Sequence, residues 1–251
     1  MNDSTRQNLN AINQRFYDIH AEAFGQTRDH PWPGWDRVRS HCPPTTPLRV
    51  LDVGCGNGRF GAYLAETATT PLTYTGVDSS RHLLERARQR TSVLGAPRLV
   101  CLDWETEGPG SMLPAGPFDA AVIFGVLHHV PGHAGRRDLL RAMAARLAPG
   151  GILAATFWRF GAPELASRYA ARRVSWTDPS APTVDTAELE TGDQLLQWGD
   201  TEGVLRYCHY CDDDEIDRLI RGLDLEPVAI FTDDGRNRLL NRYAILKRAA
   251  S

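Results

Sequence analysis

The fold of this chain is decided by the stretch Leu48-Arg49-Val50-Leu51-Asp52-Val53-Gly54-Cys55-Gly56-Asn57-Gly58. An apolar run ends in an acidic residue and then breaks into three glycines at alternate positions. Glycine lets the backbone turn tightly and approach a ligand closely, and a helix N-terminus attracts polar ligand groups. The stretch therefore predicts a strand, a tight turn and the start of a helix, built around a nucleoside-type cofactor.

Two classes of cofactor are compatible with these glycines. The segment Gly56-Asn57-Gly58-Arg59-Phe60-Gly61 also satisfies G-x-G-x-x-G, and Asp78 lies at about the distance expected of a ribose-binding acid in a dinucleotide fold. Asp52 argues against a pyrophosphate, because a carboxylate at the strand end repels phosphate and attracts an ammonium group. S-adenosyl-L-methionine carries an ammonium and a sulfonium and no phosphate. A dehydrogenase is the rival interpretation.

Acidic residues lie at the ends of three successive predicted strands, and they are Asp52, Asp78 and Asp103. Asp78, with Ser79 beside it, closes the second strand and suits the ribose hydroxyls. Asp103 and Trp104 follow the third strand and suit the amino group and ring of adenine. Because parallel strands end at one edge of an open α/β sheet, we expect one cofactor site there. Its predicted residues are Asp52, Gly54, Gly56, Asn57, Gly58, Asp78, Ser79, Asp103, Trp104 and Gly125.

Length and composition restrict the class of protein. The 251 residues are 42% hydrophobic, enough for one large domain with a buried core, and the formal net charge is -3. No apolar run approaches the ~20 residues of a membrane span, and the polar start is not a signal peptide, so we expect a cytoplasmic protein. The five cysteines form no disulfide-rich or metal-ligand pattern, and we expect no metal site.

Strands alternate with helices through the middle of the chain. The predicted strands are 48–53, 73–77, 98–102, 118–124 and 151–157, and the predicted helices are 57–66, 80–91 and 134–147. This order indicates an α/β fold with a doubly wound parallel sheet. Further on, a helix over 212–222 opens with an acidic run that suits an N-cap. Two apolar segments, 225–231 and 241–247, predict a closing hairpin.

We expect a single domain, 1–251. Its core consists of residues 45–157 and 206–251, and two further segments are added to this core. Residues 4 to 24 have apolar groups at helical spacing, which predicts an amphipathic helix within an N-terminal region, 1–44. This helix either packs on the core or forms a lid over the cofactor. Residues 158–205 are rich in Pro, Thr, Ser and acidic residues, with a helical patch over 163–174, and are predicted to be a cap inserted before the last two strands.

The glycine turn, the strand-end acids and Leu147-Ala148-Pro149-Gly150-Gly151-Ile152-Leu153 together resemble the class I S-adenosylmethionine-dependent methyltransferases over residues 45 to 160. The resemblance implies a Rossmann-like sheet of seven mostly parallel strands, with helices on both faces and a terminal antiparallel hairpin at 225–247. It also implies S-adenosyl-L-methionine as the cofactor. His128 and His129, after the fourth strand, would lie beside the methyl group.

A narrower resemblance, to the tRNA wobble-uridine carboxymethyl methyltransferases, spans most of the chain. It rests on Phe16-Tyr17-Asp18-Ile19, Phe24, Thr27-Arg28, Pro31-Trp32-Pro33, Leu127-His128-His129, Arg136-Arg137, Gly192-Asp193, Trp198, Arg206-Tyr207, His209, Asn241 and Tyr243-Ala244-Ile245-Leu246. It implies methylation of the carboxymethyl group of wobble uridine in tRNA, giving a methyl ester. Eukaryotic members also work with a small zinc-binding activator protein.

Departures from that pattern allow more than one kind of methyl acceptor. Gln197, Val130-Pro131 and Arg242 differ from the residues that the family favours, and all three lie on the substrate side. A small-molecule carboxylate or hydroxyl is the alternative acceptor. A non-catalytic subunit with this fold is expected to have lost the cofactor acids, which this chain keeps.

A carboxylate acceptor is already ionised at neutral pH, so the site has to desolvate and aim it. Arg28 is expected to hold a carboxylate with two hydrogen bonds, either that of the acceptor or that of the cofactor. A hydroxyl or amine acceptor needs a base, which His128 or His129 can provide. The predicted catalytic residues are Arg28, His128, His129, Arg206 and His209, and the predicted substrate-binding residues are Tyr17, Trp32, Trp198 and Tyr207.

Arginine clusters are the candidate contacts to RNA phosphates. They are Arg136, Arg137 and Arg141, then Arg168, Arg172 and Arg173, and finally Arg236 and Arg238. Trp32, Trp198 or Tyr207 could stack on a flipped base. A solvated face is the alternative interpretation of each cluster.

Overall fold

The computed structural model describes residues 1–26, 30–102, 113–198 and 204–250, without the side chains of residue 18 and residues 21–26. Its strands are β1 Leu48–Val53, β2 Leu72–Asp78, β3 Arg98–Cys101, β4 Phe118–Ile123, β5 Leu147–Trp158, β6 Arg173–Val174, β7 Asp193–Gln197, β8 Leu205–His209, β9 Glu226–Asp233 and β10 Asn241–Lys247. Seven of them form one sheet in the order β3-β2-β1-β4-β5-β10-β9. Within it β10 is antiparallel to both of its neighbours and the other pairs are parallel. The predicted Rossmann-like α/β fold, with its terminal hairpin, is confirmed.

Helices cover both faces of this sheet. They are α1 Asp3–Gln26, α2 Gly34–His41, α3 Arg59–Thr67, α4 Arg81–Arg90, α5 His133–Ala144, α6 Pro163–Ala170 and α7 Asp213–Ile220. Leu139 and Leu219, from α5 and α7, belong to the apolar cluster on one face, and Trp35 and Phe60, from α2 and α3, to that on the other. All six residues of β4 are buried, as expected for a central parallel strand.

The helix start predicted at the acidic run is also present. The Oδ1 atom of Asp212 accepts a hydrogen bond of 2.7 Å from the Glu215 backbone N–H, so Asp212 is the N-cap of α7. By contrast, the helix predicted over 57–66 begins only at Arg59, because the glycine turn occupies the two preceding positions.

The insertion after β5 contains a second sheet, of β6, β7 and β8, which pair antiparallel. The helical patch predicted over 163–174 is correct only as far as Ala170, since Arg173 and Val174 pair with β7. Residues 206–209 pair with β7 as well, so they extend the small sheet of the cap rather than the main sheet. These strands form through pairing between segments that are distant in sequence, which local periodicity does not reveal.

Helix α1 lies against β8 through a polar contact. The Asn13 side chain accepts a hydrogen bond of 3.0 Å from the Tyr207 N–H, and its amide group lies 3.4 Å from the His129 carbonyl oxygen. The side chain therefore ties the N-terminal helix to β8 and to the loop after β4. Among the described helices, none combines the length and the apolar character that crossing a membrane requires.

Candidate active site

A large cleft lies at the carboxyl edge of the parallel strands. Its walls come from the loops after β1, β2 and β4, from α1 and from the cap, and its volume is about 1160 Å³. Single-ligand pockets are typically ~300–1,000 Å³, so this cleft is slightly larger than a usual single-ligand pocket. This is the edge at which open α/β sheets bind ligands.

The glycine turn forms one end of this cleft. Gly54, Gly56 and Asn57 line it. Gly56 has a φ of +55°, and a Cβ atom built on it would meet nothing within 4 Å, so the turn leaves open space beside its backbone. That space fits a cofactor that approaches the main chain closely. Gly58 is not among the lining residues, because it packs against Ala87 and Thr91, next to α4.

Asp52 lies at the end of β1 in the floor of this cleft. It is 2% exposed, and the Tyr74 hydroxyl donates a hydrogen bond of 2.6 Å to its Oδ2 atom. Burial raises the pKa of Asp52 to about 7, and the bond from Tyr74 opposes that rise. A ligand ammonium group would stabilise the ionised form, so Asp52 fits the cationic part of an amino-acid moiety.

Asp78 lies at the end of β2, next to the glycine turn. Its Oδ2 accepts from the Gly56 N–H at 2.8 Å and its Oδ1 from the Ser80 N–H at 2.9 Å. Burial raises the pKa of Asp78 and these backbone bonds lower it. Each oxygen keeps a further lone pair, so the carboxylate can still accept from ribose hydroxyls. Ser79 lines the same part of the cleft.

Arg59 adds a positive charge to this end of the cleft, which the sequence interpretation missed. Its Nη1 donates to the His30 carbonyl at 3.1 Å, and its guanidinium carbon lies 5.4 Å and 5.5 Å from the ring centroids of Trp32 and Trp35. The charge of Arg59 acts to lower the pKa of Asp52, so the two groups are close enough to interact. The Asp52 carboxylate and the Arg59 guanidinium together match the ammonium and the carboxylate of a zwitterionic amino-acid group. The available signal was the position of Arg59 directly after the glycines.

The loop after β4 forms the wall between the two ends of the cleft. The Gly125 N–H donates to Thr156 Oγ1 at 2.9 Å. A Cβ on Gly125 would lie 3.2 Å from the Trp32 ring, so the predicted residues Gly125 and Trp32 face each other in the cleft wall. His128 and His129 follow in the same loop and line the cleft as well.

His129 lies next to Tyr17 of α1. Its Nδ1 is 2.9 Å from the Tyr207 carbonyl oxygen, and its Nε2 is 3.0 Å from the Tyr17 hydroxyl. Because a carbonyl only accepts, Nδ1 carries the proton, and in the neutral ring Nε2 accepts from Tyr17. The contacts therefore place His129 as a group that orients the Tyr17 hydroxyl in the cleft.

Arg206, on β8, lines the cap side of the cleft. It is 4% exposed, and its guanidinium carbon lies 5.1 Å from the Phe16 ring centroid and 5.6 Å from that of Trp158. Among the described residues, no carboxylate lies within 4.0 Å of it, and its Nε has no hydrogen-bond partner. Arg206 is thus a buried cation that two aromatic rings hold at the cleft.

Two predicted residues of β8 are not brought into the cleft. The Tyr207 hydroxyl donates to Asp193 at 2.7 Å, and His209 lies between Asp193 at 2.7 Å and Glu215 at 2.8 Å. Alternation along the strand explains this placement, because Tyr207 and His209 point to the face opposite Arg206. The sequence alone predicts that residue 206 faces away from residues 207 and 209 once this segment is recognised as a strand.

A buried network of charges lies on the face of β8 to which Tyr207 and His209 point. Arg136 of α5 is completely buried and lies 2.7 Å from Glu215, with Glu190 also bonded to it. Burial disfavours a charged His209, yet its bonds to Asp193 and Glu215 hold its pKa up at about 11. Because Arg136 is buried among these carboxylates, its predicted contact with RNA phosphate is wrong.

The remaining predicted residues divide into two groups. Trp198 lines the cleft, with its ring centroid 5.5 Å from that of Phe16. Arg28, Asp103 and Trp104 lie outside the described residues.

Comparisons with known proteins agree with this fold and site. A family model described as a methyltransferase domain matches residues 51–153. The chain is 33% identical over 220 residues to a trans-aconitate 2-methyltransferase of Streptomyces coelicolor, across 82% of this chain and 71% of that protein. It is 31% identical to a tRNA (carboxymethyluridine(34)-5-O)-methyltransferase of Xenopus tropicalis, across 57% of this chain and 20% of that protein.

The solved structures show the same fold at low identity. One is the N-methyltransferase NodS from Bradyrhizobium japonicum in complex with S-adenosyl-l-homocysteine, with a TM-score of 0.62 and 17% identity, across 94% of this chain and 98% of that one. Fold, cleft and sequence similarity together thus define a Rossmann-like methyltransferase rather than a dehydrogenase. This chain belongs to the S-adenosylmethionine-dependent methyltransferases, and S-adenosylmethionine is its cofactor.

Proposed function

We propose that this methyltransferase esterifies a carboxylate. The observation that carries the proposal is Arg206, a cation that is 4% exposed and has no carboxylate within reach among the described residues. Burying a guanidinium without a counter-ion is unfavourable by several kcal/mol. An anionic ligand in the cleft removes that penalty. Asp52 and Arg59 match the amino-acid part of the cofactor at the other end, which leaves Arg206 for the acceptor.

The residues around Arg206 suit a carboxylate that is already ionised. A guanidinium fork can hold both carboxylate oxygens and still leave lone pairs directed at the cofactor. The rings of Phe16 and Trp158 pack against the guanidinium, and this packing reduces the rotamer entropy that is lost on binding. When bound, S-adenosylmethionine would supply the methyl group, which would pass from its sulfur to the carboxylate oxygen. No base is needed, which agrees with a His129 that orients Tyr17.

A small carboxylic acid is the acceptor that the similarities favour. The likeness to the trans-aconitate methyltransferase extends over 82% of the chain, whereas that to the tRNA methyltransferase covers 57%. The first relative's name specifies a carboxylic acid that is not part of a macromolecule. This proposal replaces the wobble uridine, which the sequence motifs put first, with a small acid as the leading acceptor.

The carboxymethyl group of wobble uridine in tRNA is the second candidate acceptor. Arg168, Arg172 and Arg236 line the cleft with exposed side chains, where RNA phosphates could reach them, and Trp198 offers a stacking surface. The relative from Xenopus tropicalis carries this activity in its name. A zinc-binding activator protein stays a prediction that belongs to this candidate.

A methyl-transfer assay separates the acceptors. The protein is incubated with methyl-labelled S-adenosylmethionine and either trans-aconitate, a mixture of small carboxylic acids or total tRNA that lacks the wobble ester, and each product is then treated with mild alkali. We expect base-labile label on a small acid. Base-labile label on tRNA alone would support the second candidate. Label that resists alkali, on any acceptor, would overturn esterification.

An Arg206→Gln variant tests the residue that carries the proposal. We expect kcat/KM for the acid to fall on the order of 100-fold, as for loss of a charged hydrogen-bonding partner. In the absence of ligand, the melting temperature should rise, because a buried cation without a counter-ion has been removed. Arg173→Gln, in the same cap sheet and exposed, is the control. A lower melting temperature with unchanged kcat/KM would mean that Arg206 is structural.

A further inference from the structure

The charges that line the cleft are unevenly distributed. Among the described lining residues, the acids are Asp52 and Asp78 at the cofactor end and Asp138 of α5. Of the cap residues that the structure describes, Arg168, Arg172 and Arg206 line the cleft and no carboxylate does. Among these described residues, the cap lining therefore carries more positive charge than one acceptor carboxylate would neutralise.

Arg168 and Arg172 form a pair of like charges at the rim, here named the rim pair. They are four residues apart at the end of α6, and the Arg172 N–H bonds to the Tyr169 carbonyl at 3.0 Å, which continues the helical turn. Like charges at this spacing repel each other. Among the described residues neither has a carboxylate within 4.0 Å, whereas Arg159 nearby pairs with Glu164 at 3.3 Å. The cap thus keeps two mutually repelling cations at the cleft.

The cap sheet connects the rim pair to Arg206. The Gln197 N–H bonds to the Arg172 carbonyl at 2.8 Å, and Leu196 of β7 pairs with Arg206 on one side and Arg173 on the other. Two strand spacings, about 10 Å, therefore separate the backbone of Arg206 from that of Arg173, the residue next to Arg172 of the rim pair. Side chains that extend into the cleft from both positions can bracket a short molecule with an anionic group at each end.

We infer that the acceptor is a small acid with at least two carboxylates. One carboxylate lies on Arg206 and is methylated, and a second is held by the rim pair, Arg168 and Arg172. This inference rests on the proposed function and adds the substrate class to it. It also defines the product, a partial methyl ester that keeps a free carboxylate.

Matched acids of equal carbon number test this inference. Initial rates are measured with butanoate and butanedioate, with trans-2-butenoate and trans-butenedioate, and with propane-1,2,3-tricarboxylate. We expect kcat/KM to be roughly 10- to 100-fold higher for each diacid than for its monoacid, as one further charge-assisted contact implies. In an Arg168→Gln/Arg172→Gln double variant, that ratio should fall towards one. Mass spectrometry should show a monomethyl ester.

The control is Arg173→Gln, which removes an exposed arginine of the same segment that does not line the cleft. It should leave the ratio of diacid to monoacid unchanged. If esters form but diacids have no advantage, or if the control lowers the ratio as much as the double variant, the inference is wrong and the proposed function stands. If the double variant abolishes methylation of tRNA and no small acid is methylated, the rim pair binds RNA phosphate instead. If no acceptor gives a base-labile ester, the proposed function itself fails.

Discussion

The Tyr74 hydroxyl donates a hydrogen bond of 2.6 Å to Asp52 Oδ2, beneath the glycine turn, and both side chains are buried. Burial raises the pKa of Asp52 to about 7, while this hydrogen bond favours the ionised carboxylate. The acid that we expect to hold the cofactor ammonium is therefore about half protonated near neutral pH. Only its ionised form can pair with an ammonium group.

Cofactor affinity should consequently depend on pH. Below pH 7, Asp52 has to lose its proton before it pairs with the ligand, so the Kd of S-adenosylhomocysteine should rise towards about tenfold per pH unit. Above pH 7 the Kd should level off. Isothermal titration calorimetry between pH 5.5 and 7.5 measures this dependence. Tyr74→Phe should move the midpoint to higher pH, because it removes the bond that lowers the pKa; an unchanged midpoint would contradict the coupling.

The outer two glycines of Gly56-Asn57-Gly58 should respond differently to alanine. Both have positive φ values, +55° and +78°, so each substitution costs about 1–2 kcal/mol of backbone strain. At Gly58 the new Cβ would also lie 3.0 Å from Ala87 Cα, so Gly58→Ala should lower the melting temperature more. At Gly56 the Cβ enters open space in the cleft, so Gly56→Ala should weaken S-adenosylhomocysteine binding more. Thermal melts and titrations of both variants compare the two effects.

Asp234 should stabilise the segment that carries Trp32. Its carboxylate accepts from the Gly34 N–H at 3.0 Å, from Asn241 at 2.8 Å and from the Tyr243 hydroxyl at 2.6 Å. Asp234→Asn keeps the left-handed backbone but replaces one acceptor oxygen by a donor, which should cost ~1–3 kcal/mol of unfolding free energy. Asp224→Asn, at an exposed left-handed position, is the matched control in urea unfolding. Equal losses in the two variants would argue against this role.

The charge network around His209 should make stability depend on alkaline pH. Hydrogen bonds hold the pKa of His209 at about 11, well above its unfolded value. Its contribution is complete below about pH 6.5 and is lost as pH rises towards 11, so the melting temperature should fall over that range. His209→Gln leaves Asp193 without its cation and Glu215 with Arg136 alone, and should cost ~3–5 kcal/mol at pH 7. It should also flatten the pH dependence, whereas the exposed His82→Gln should not.

The elements around the glycine turn could be predicted from the sequence because their signals are local. The apolar run of β1 and the glycines that follow it define strand and turn within eleven residues. The cap sheet could not be predicted in this way. Arg173 and Val174 continue the pattern of α6, and only pairing with β7, some twenty residues further on, makes them a strand.

The residues of the candidate site show the same difference between local sequence signals and tertiary contacts. Asp52 and Asp78 were predicted because strand ends in an α/β fold meet at one edge. Arg136 was assigned to an exposed helix face, yet carboxylates 54 and 79 residues away surround it in the folded chain. His209 was expected beside the substrate, but strand alternation turns it away from the face of Arg206.

By itself, the sequence determined the class of fold, the cofactor and the edge of the sheet where the candidate site lies, because spacing over short distances dictates backbone geometry there. Only the tertiary structure decided which arginines line the cleft. Burial and charge pairing depend on residues brought together from α1, the cap and α7. These contacts leave Arg206 as a cation at the cleft and enclose Arg136 among carboxylates.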